Sequence, residues 1–285
     1  MPIFPAPSIG ADDVDEVLMT VWWLLYLALG AFSGFFAGLL GIGGGAVLVP
    51  LLVMFFTAQQ FPSQEVMHLA LGTSMAAILF TSISSVRAHH QLGAVQWPIV
   101  IRITPGILLG TLLGTEVASR VPSTWLAILF TVFIFYVAVQ MIVGFKPKPS
   151  RELPGVLGTG MVGVGIGAFS CLVAIGGGVL SVPFMVWCNV RVQHAIGTSA
   201  AIGFPIALGG AAGYIYNGWR VEGLPEFSLG FVYLPALVGL VAASVLTAPL
   251  GARLAHQLPV NSLRRVFAGL LLLLALKMSW GLLAS

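Results

Sequence analysis

Three features of the sequence predict an all-α polytopic membrane protein built from two related halves. Charges are scarce, apolar runs are long, and a set of motifs occurs twice in the same order. Only 7% of the 285 residues are Asp, Glu, Lys or Arg, against about 25% in an ordinary soluble domain. Hydrophobic residues make up 58% of the chain, and the mean hydropathy is +1.03. A soluble fold of this length could not hide so much apolar surface, whereas lipid removes the need to hide it.

The same composition excludes other classes. The net charge of +3 rests on only 12 Lys and Arg residues, with no basic patch interleaved with aromatics, so no nucleic-acid partner is expected. On a membrane protein this excess is more simply a loop bias. Cys171 and Cys188 lie in apolar runs and read as small buried hydrophobes. No further metal ligands surround them, so neither a metal nor a cofactor is expected.

Taken in order, residues 1–16 form an acidic outer tail (Asp12, Asp13, Asp15, Glu16). It lacks a basic n-region, so no cleavable signal is expected. The apolar run Val17–Leu40 is long enough to span and stops at a glycine cluster. Gly45–Phe56 follows, then Leu69–Val86, Trp97–Ala118 and Thr124–Phe145, separated by polar or Pro-containing breaks. Lys146–Pro154 is the clearly soluble, Pro-rich stretch in mid-chain and reads as the linker between halves. Beyond it come Gly155–Val173, Gly178–Cys188, Ala195–Tyr216, Phe227–Leu250 and Ser262–Leu283. Gly45–Phe56 and Gly178–Cys188 would rise only about 18 Å as helices, against a hydrocarbon core of about 30 Å. They read as broken or re-entrant half-helices.

The repeat carries the organisation. Gly41-Ile-Gly-Gly-Gly45 followed by Pro50 is echoed by Ala174-Ile-Gly-Gly-Gly178 followed by Pro183. Gly72-Thr-Ser74 is echoed by Gly197-Thr-Ser199, and Gly93 by Gly218. Val121-Pro122 and Leu258-Pro259 precede helices with Phe130 and Phe267 in register. Matched motifs in one order at nearly fixed offsets point to duplication. The predicted units are a first transmembrane repeat, 17–145, the inner linker 146–154, and a second repeat, 155–285.

Charge then orients the chain. If the N-terminus is outside and each segment reverses direction, the inner connections hold Arg87, Lys146, Lys148, Arg151, Arg191, Arg253, Arg264 and Arg265. The outer side holds Arg120, Arg220 and Lys277, with Glu65, Glu116, Glu222 and Glu226 at outer ends. This positive-inside excess predicts both termini outside. Five segments per half flip the second half relative to the first. That is the inverted-topology repeat of many secondary transporters.

The glycine triplets are the first candidates for chemistry. A helix broken at Gly43, Gly44 and Gly45, and again at Gly176, Gly177 and Gly178, frees backbone N–H groups at the start of each half-helix. Half-helix N-termini attract anions, and two of them facing one midplane cavity would hold a small anion. The plainer account is close packing by small residues. Thr73, Ser74, Thr198 and Ser199 could donate hydroxyl hydrogen bonds to an oxyanion without bringing charge into the membrane. Their plainer roles are capping or helix–helix bonding.

Arg87, His89 and His90 end the third long segment near the inner face. Arg87 offers a fork of hydrogen bonds that would gate or recruit an anion, or simply anchors the helix. Adjacent histidines point about 100° apart on a helix, which is poor geometry for a metal. A proton-coupling role is open to His90, which joins Arg87 as a candidate. Glu116 could bind a coupling proton or sit at the interface. No catalytic residue is expected: HExxH, Walker and GxSxG motifs are absent, and so are carboxylates paired on one helical face. The missing ATP motif points to a gradient-driven carrier or a partner ATPase. Glycine-rich helices permit close contacts within a monomer or a homodimer.

The runs GIGGGAVLVP and LGTSMAA, with their echoes AIGGGVLSVP and IGTSAAI, resemble the TauE/SafE family of sulfite and organosulfur-anion exporters. The resemblance extends from about Trp22 to Leu283. It implies a multi-pass protein of a prokaryotic plasma membrane, driven by an ion or proton gradient. It also implies that Gly43–Gly45, Thr73, Ser74, Gly176–Gly178, Thr198 and Ser199 bind the substrate. The halves are not identical. Ala174 stands where Gly41 does, and the gap between motifs is eight residues shorter in the second half, so the half-sites need not contribute equally. Two other readings are a transporter or channel for a carboxylate or metal cation, and a membrane assembly factor or enzyme. The first would want intramembrane carboxylates, and the second a catalytic constellation or a soluble module.

Overall fold

The computed structural model describes residues 11–41, 44–144, 150–257 and 260–284. Gly43, Lys146 and Lys148 lie outside the described residues, as does most of the expected N-terminal tail. All ten expected segments are helices: α1 (Ala11–Leu40), α2 (Gly45–Ala58), α3 (Val66–Gln91), α4 (Trp97–Arg120), α5 (Ser123–Val143), α6 (Val156–Leu172), α7 (Gly178–Trp187), α8 (Val192–Gly218), α9 (Leu234–Gln257) and α10 (Val260–Ala284). Among the described residues, seven of them, α1, α3, α4, α5, α8, α9 and α10, contain runs long and apolar enough to cross a membrane.

Several helices, α3 and α8 among them, run a few residues beyond the expected bounds, and three further differences are instructive. Helix α1 begins at Ala11, so it takes in the end of the expected outer tail. Helix α6 has only 17 residues and joins α2 and α7 among the shorter apolar helices. Pro154 and Gly155 delay its start, and the turn at Ala174, with φ 43, ends it early. The expected helix over Phe227–Leu250 starts only at Leu234. Phe227 and Gly230 have φ values of 62 and 56, which a helix cannot hold. A two-residue antiparallel ribbon forms there instead, β1 (Ser228–Leu229) with β2 (Val232–Tyr233), pairing Ser228 with Tyr233 and Leu229 with Val232. The ribbon buries Phe231 and Val232 in the bundle.

Helices α3 and α8 form the centre. Their apolar windows are 83% and 78% buried, against 33% and 28% for α9 and α10. The outer helices show Leu112, Val132, Leu246 and Leu273 largely exposed. Lipid satisfies such a surface and water does not.

The main helix pairings are α1 with α9, α4 with α6, α3 with α8, α5 with α10, α4 with α8 and α3 with α9. Exchanging the first five helices for the last five maps these pairings onto one another. The correspondence holds for single residues. A Cβ on Gly30 would lie 2.3 Å from the Leu240 carbonyl oxygen, and one on Gly163 would lie 2.5 Å from that of Ile103. Gly34 and Gly167 likewise press on Ser244 and Ile107, and Gly251 and Gly114 on the Phe35 and Ala168 carbonyls. In each case the glycine lets two backbones touch, as small residues do in packed membrane helices.

Candidate functional site

The two short helices start from matched corners. Gly44, the cap of α2, has φ 77 and ψ −13, and Gly177, the cap of α7, has φ 78 and ψ −14. A left-handed corner of this kind favours glycine. The Gly44 carbonyl accepts from Val47 and Leu48 N–H at 3.1 Å each. The Gly177 carbonyl accepts from Leu180 and Ser181 at 3.0 and 2.7 Å. Neither helix has a side-chain cap. The first N–H groups of both helices, at Gly45 and Gly178, therefore have no acceptor within their own helix. At about 21 and 15 Å for 14 and 10 residues, neither helix crosses a membrane alone.

The corners meet. A Cβ on Gly45 would fall 1.7 Å from the carbonyl oxygen of Ala174 in the opposite break. Ser199 of α8 reaches across the halves: its Oγ donates to the Gly41 carbonyl at 3.2 Å and accepts from Ser181 Oγ at 2.9 Å. Gly203 of α8 rests against the Gly176 carbonyl. The structure thus brings Gly44, Gly45, Gly176, Gly177, Gly178 and Ser199 into one region.

Thr73 and Thr198 do a different job. Tyr233 N–H donates to Thr73 Oγ1 at 3.0 Å, and Gln96 N–H donates to Thr198 Oγ1 at 2.9 Å. Tyr233 and Gln96 immediately precede α9 and α4. Each threonine therefore holds the entry of a helix from the other half. Ser74 is fully buried, and its Oγ has no partner among the described residues.

Between the halves lies a cavity of about 10 Å³, the room of a single water. Ala37 of α1, Gly41 of the first break, Gly176 of the second, and Ala200 and Gly203 of α8 line it. Helix α3 adds Ile78, Thr81, Ser82 and Ser85. Among the described residues no ionisable side chain lines it, so the attraction they offer for charge comes from hydroxyls and backbone dipoles. The hydroxyls of α3 were missed in the sequence. Their signal was there: Thr81, Ser82 and Ser85 fall on one helical face of a span that has little other reason to be polar.

Arg87 and His90 lie elsewhere. Both are exposed, and His90 Nδ1 accepts from Trp97 Nε1 at 3.2 Å. The buried histidine is its neighbour, His89, whose Nε2 lies 3.1 Å from the Gly38 carbonyl, one turn beyond Ser85. Glu116 pairs with Arg120 on the exposed face of α4, outside the cavity lining. A second buried histidine, His68, ties the start of α3 to the end of α4. Its Nε2 lies 3.1 Å from the carbonyls of Ala118 and Val121, and its Nδ1 lies 3.2 Å from Glu65.

Known proteins resemble the chain over nearly its whole length. A protein of Haemophilus influenzae described as a probable membrane transporter is 37% identical over 91% of this chain and 99% of its own length. The probable membrane transporter YdhB of Bacillus subtilis is 27% identical, covering 84% of this chain and 96% of its own. The probable membrane transporter MJ0441 of Methanocaldococcus jannaschii is 26% identical over 87% and 94%. No solved structure matches significantly. The sulfite exporter TauE/SafE family matches residues 26–278, which takes in both helix breaks and all of the central helices. On that match the chain belongs to the sulfite exporter TauE/SafE family, a family of membrane transporters.

Proposed function

We propose that this protein is a secondary transporter that exports a small sulfur-containing anion, such as sulfite, sulfoacetate or a similar organosulfonate, across the plasma membrane. Its halves, 17–145 and 155–285, are inverted-topology repeats joined by the inner linker 146–154, with both termini outside. Rocking of one half against the other exposes the site to each side in turn. An ion gradient, with the proton as the coupling ion, drives the cycle. The anion sits at the midplane, held by the half-helix starts at Gly43–Gly45 and Gly176–Gly178 and by the hydroxyls of Ser74 and Ser199. Arg87 and His90, exposed at the end of α3, recruit anions to the entrance.

The observation that carries this reading is the pair of uncapped helix starts, matched in φ and ψ, whose breaks touch at Gly45 and Ala174 and line one cavity in which no described residue is charged. Helix starts favour negative charge without a compensating cation. A site for a metal cation would need carboxylates at that depth, and Glu116 is spent on an exposed pair with Arg120.

The test is efflux from proteoliposomes loaded in turn with sulfite, sulfate, sulfoacetate, taurine or lactate, with and without a pH gradient. Selective, saturable efflux of a sulfur anion, faster with the gradient, is expected. Equal leakage of all five, or none, would overturn the reading.

A further inference from the structure

The two central helices meet the cavity with different chemistry. Under the alignment that pairs Thr73 with Thr198, the residues Thr81, Ser82 and Ser85 of α3 correspond to Ile206, Ala207 and Gly210 of α8. Every lining hydroxyl comes from one helix.

Those hydroxyls are not equivalent. In a helix a Ser or Thr hydroxyl usually donates back to a carbonyl three or four residues earlier. Thr81 Oγ1 does so to Ala77 at 2.9 Å and also bonds Ser244 Oγ of α9 at 2.8 Å. Ser82 Oγ donates to Leu79 at 2.8 Å. Outside the lining, Ser84 Oγ donates to the Val245 carbonyl at 2.7 Å. Ser85 breaks the pattern. It is 3% exposed, it lines the cavity, and its Oγ has no partner among the described residues. A buried hydroxyl without a partner is unfavourable, and the penalty vanishes when a ligand accepts a hydrogen bond from it.

The same cavity is lined by Gly176, in the break that opens α7. Its helix start offers N–H groups and partial positive charge. The Gly41 carbonyl, from the other break, already accepts from Ser199. The remaining lining residues, Ala37, Ile78, Ala200 and Gly203, have apolar or no side chains.

From this juxtaposition we propose that Ser85 is a substrate-binding residue. Its hydroxyl donates to one oxygen of a small oxyanion while the start of α7 faces another. The anion is therefore held unequally, by α3 of the first half and the break of the second. The proposal rests on the anion-export reading and names the side chain that grips the anion. The cavity as it stands admits only water, so it is the closed form of this site, and binding requires the halves to separate around Ser85.

The experiment is saturable sulfite efflux from proteoliposomes holding the full chain, wild type against Ser85→Ala, with melting temperatures of both proteins in detergent. Loss of a hydrogen bond to an anion raises KM about tenfold. The expected result is that rise, with kcat within about twofold, an unchanged melting temperature, and recovery toward the wild-type KM in Ser85→Thr. Ser84→Ala, on the same turn with its hydroxyl bonded to α9, keeps the wild-type KM. If Ser85→Ala does not fold, Ser85→Cys decides by the same KM criterion, since a thiol is a weak donor of similar size. A wild-type KM in the folded variant overturns the role of Ser85 and leaves anion export standing. A wild-type protein that moves none of the sulfur anions overturns both.

Discussion

At Gly44 and at Gly177 the backbone turns through nearly the same angles, and each corner opens a short helix with a proline six residues on, Pro50 and Pro183. Around these matched corners the side chains differ. Ser181 stands where the first half has Leu48, and it gives Ser199 a hydroxyl partner that Ser74 lacks. Helix α3 brings three hydroxyls to the cavity where α8 brings none. By contrast, Thr73 and Thr198 make the same bond to the other half, at 3.0 and 2.9 Å. The corners and the two threonines are equivalent in the two halves, while the residues facing the cavity differ. Equivalence is needed where the halves brace each other. A single small ligand needs only one set of donors.

The comparison breaks most sharply at the corners. Gly44→Leu and Gly177→Leu should each abolish efflux. A side chain at φ near 77 or 78 is strained, and the new Cβ would stand 2.9 Å from the Ser33 carbonyl or 2.4 Å from Ile206 Cδ1. Normal flux from either variant would sink the helix-start site. Gly45→Ala should be comparably damaging, because its Cβ would overlap the Ala174 carbonyl at 1.7 Å. A folded, active Gly45→Ala protein would mean that the breaks do not touch.

The next test is of equivalence itself. Thr73→Val and Thr198→Val each leave a partly buried N–H, of Tyr233 or Gln96, without its acceptor. Each should cost about 1–3 kcal/mol of stability, read as a fall in melting temperature, and Thr→Ser should restore it. Losses that differ by more than about 1 kcal/mol would show that one half dominates the bracing. Gly34→Ala and Gly167→Ala should also match each other, each costing about 1–3 kcal/mol by forcing helices apart.

The smallest effect is expected at the rim. Glu116→Gln removes an exposed ion pair with Arg120, worth about 0–1 kcal/mol, and should leave efflux unchanged. Loss of efflux in that variant would favour a cation-coupling carboxylate and blur the contrast between cavity and rim.

Much of the fold was legible because lipid simplifies the rules. A span must be long, apolar and helical, so the ten segments could be read from hydropathy and from breaks at Gly and Pro. The errors fall where those rules do not apply. The ribbon at Ser228–Tyr233 was read as helix because Phe, Leu and Val are apolar in either conformation, and only the turn at Phe227 and Gly230 tells them apart. Histidines 89 and 90 are adjacent in sequence, yet α3 turns one inward and the other out. Their order cannot say which, because that depends on what α1 places opposite.

By itself the sequence determined a helical membrane chain with two sets of the same glycine and Gly-Thr-Ser motifs. Composition and periodicity report on solvent and on backbone freedom, and both are local properties. Tertiary structure alone decided that Thr73 and Thr198 hold the entries of helices from the opposite half, that Ser199 bonds the Gly41 carbonyl, and that Ser85 lines the cavity without a partner among the described residues. A hydroxyl can donate to its own helix, to a neighbour or to a ligand. Which of these it does depends on atoms far away in the chain that folding brings within about 3 Å.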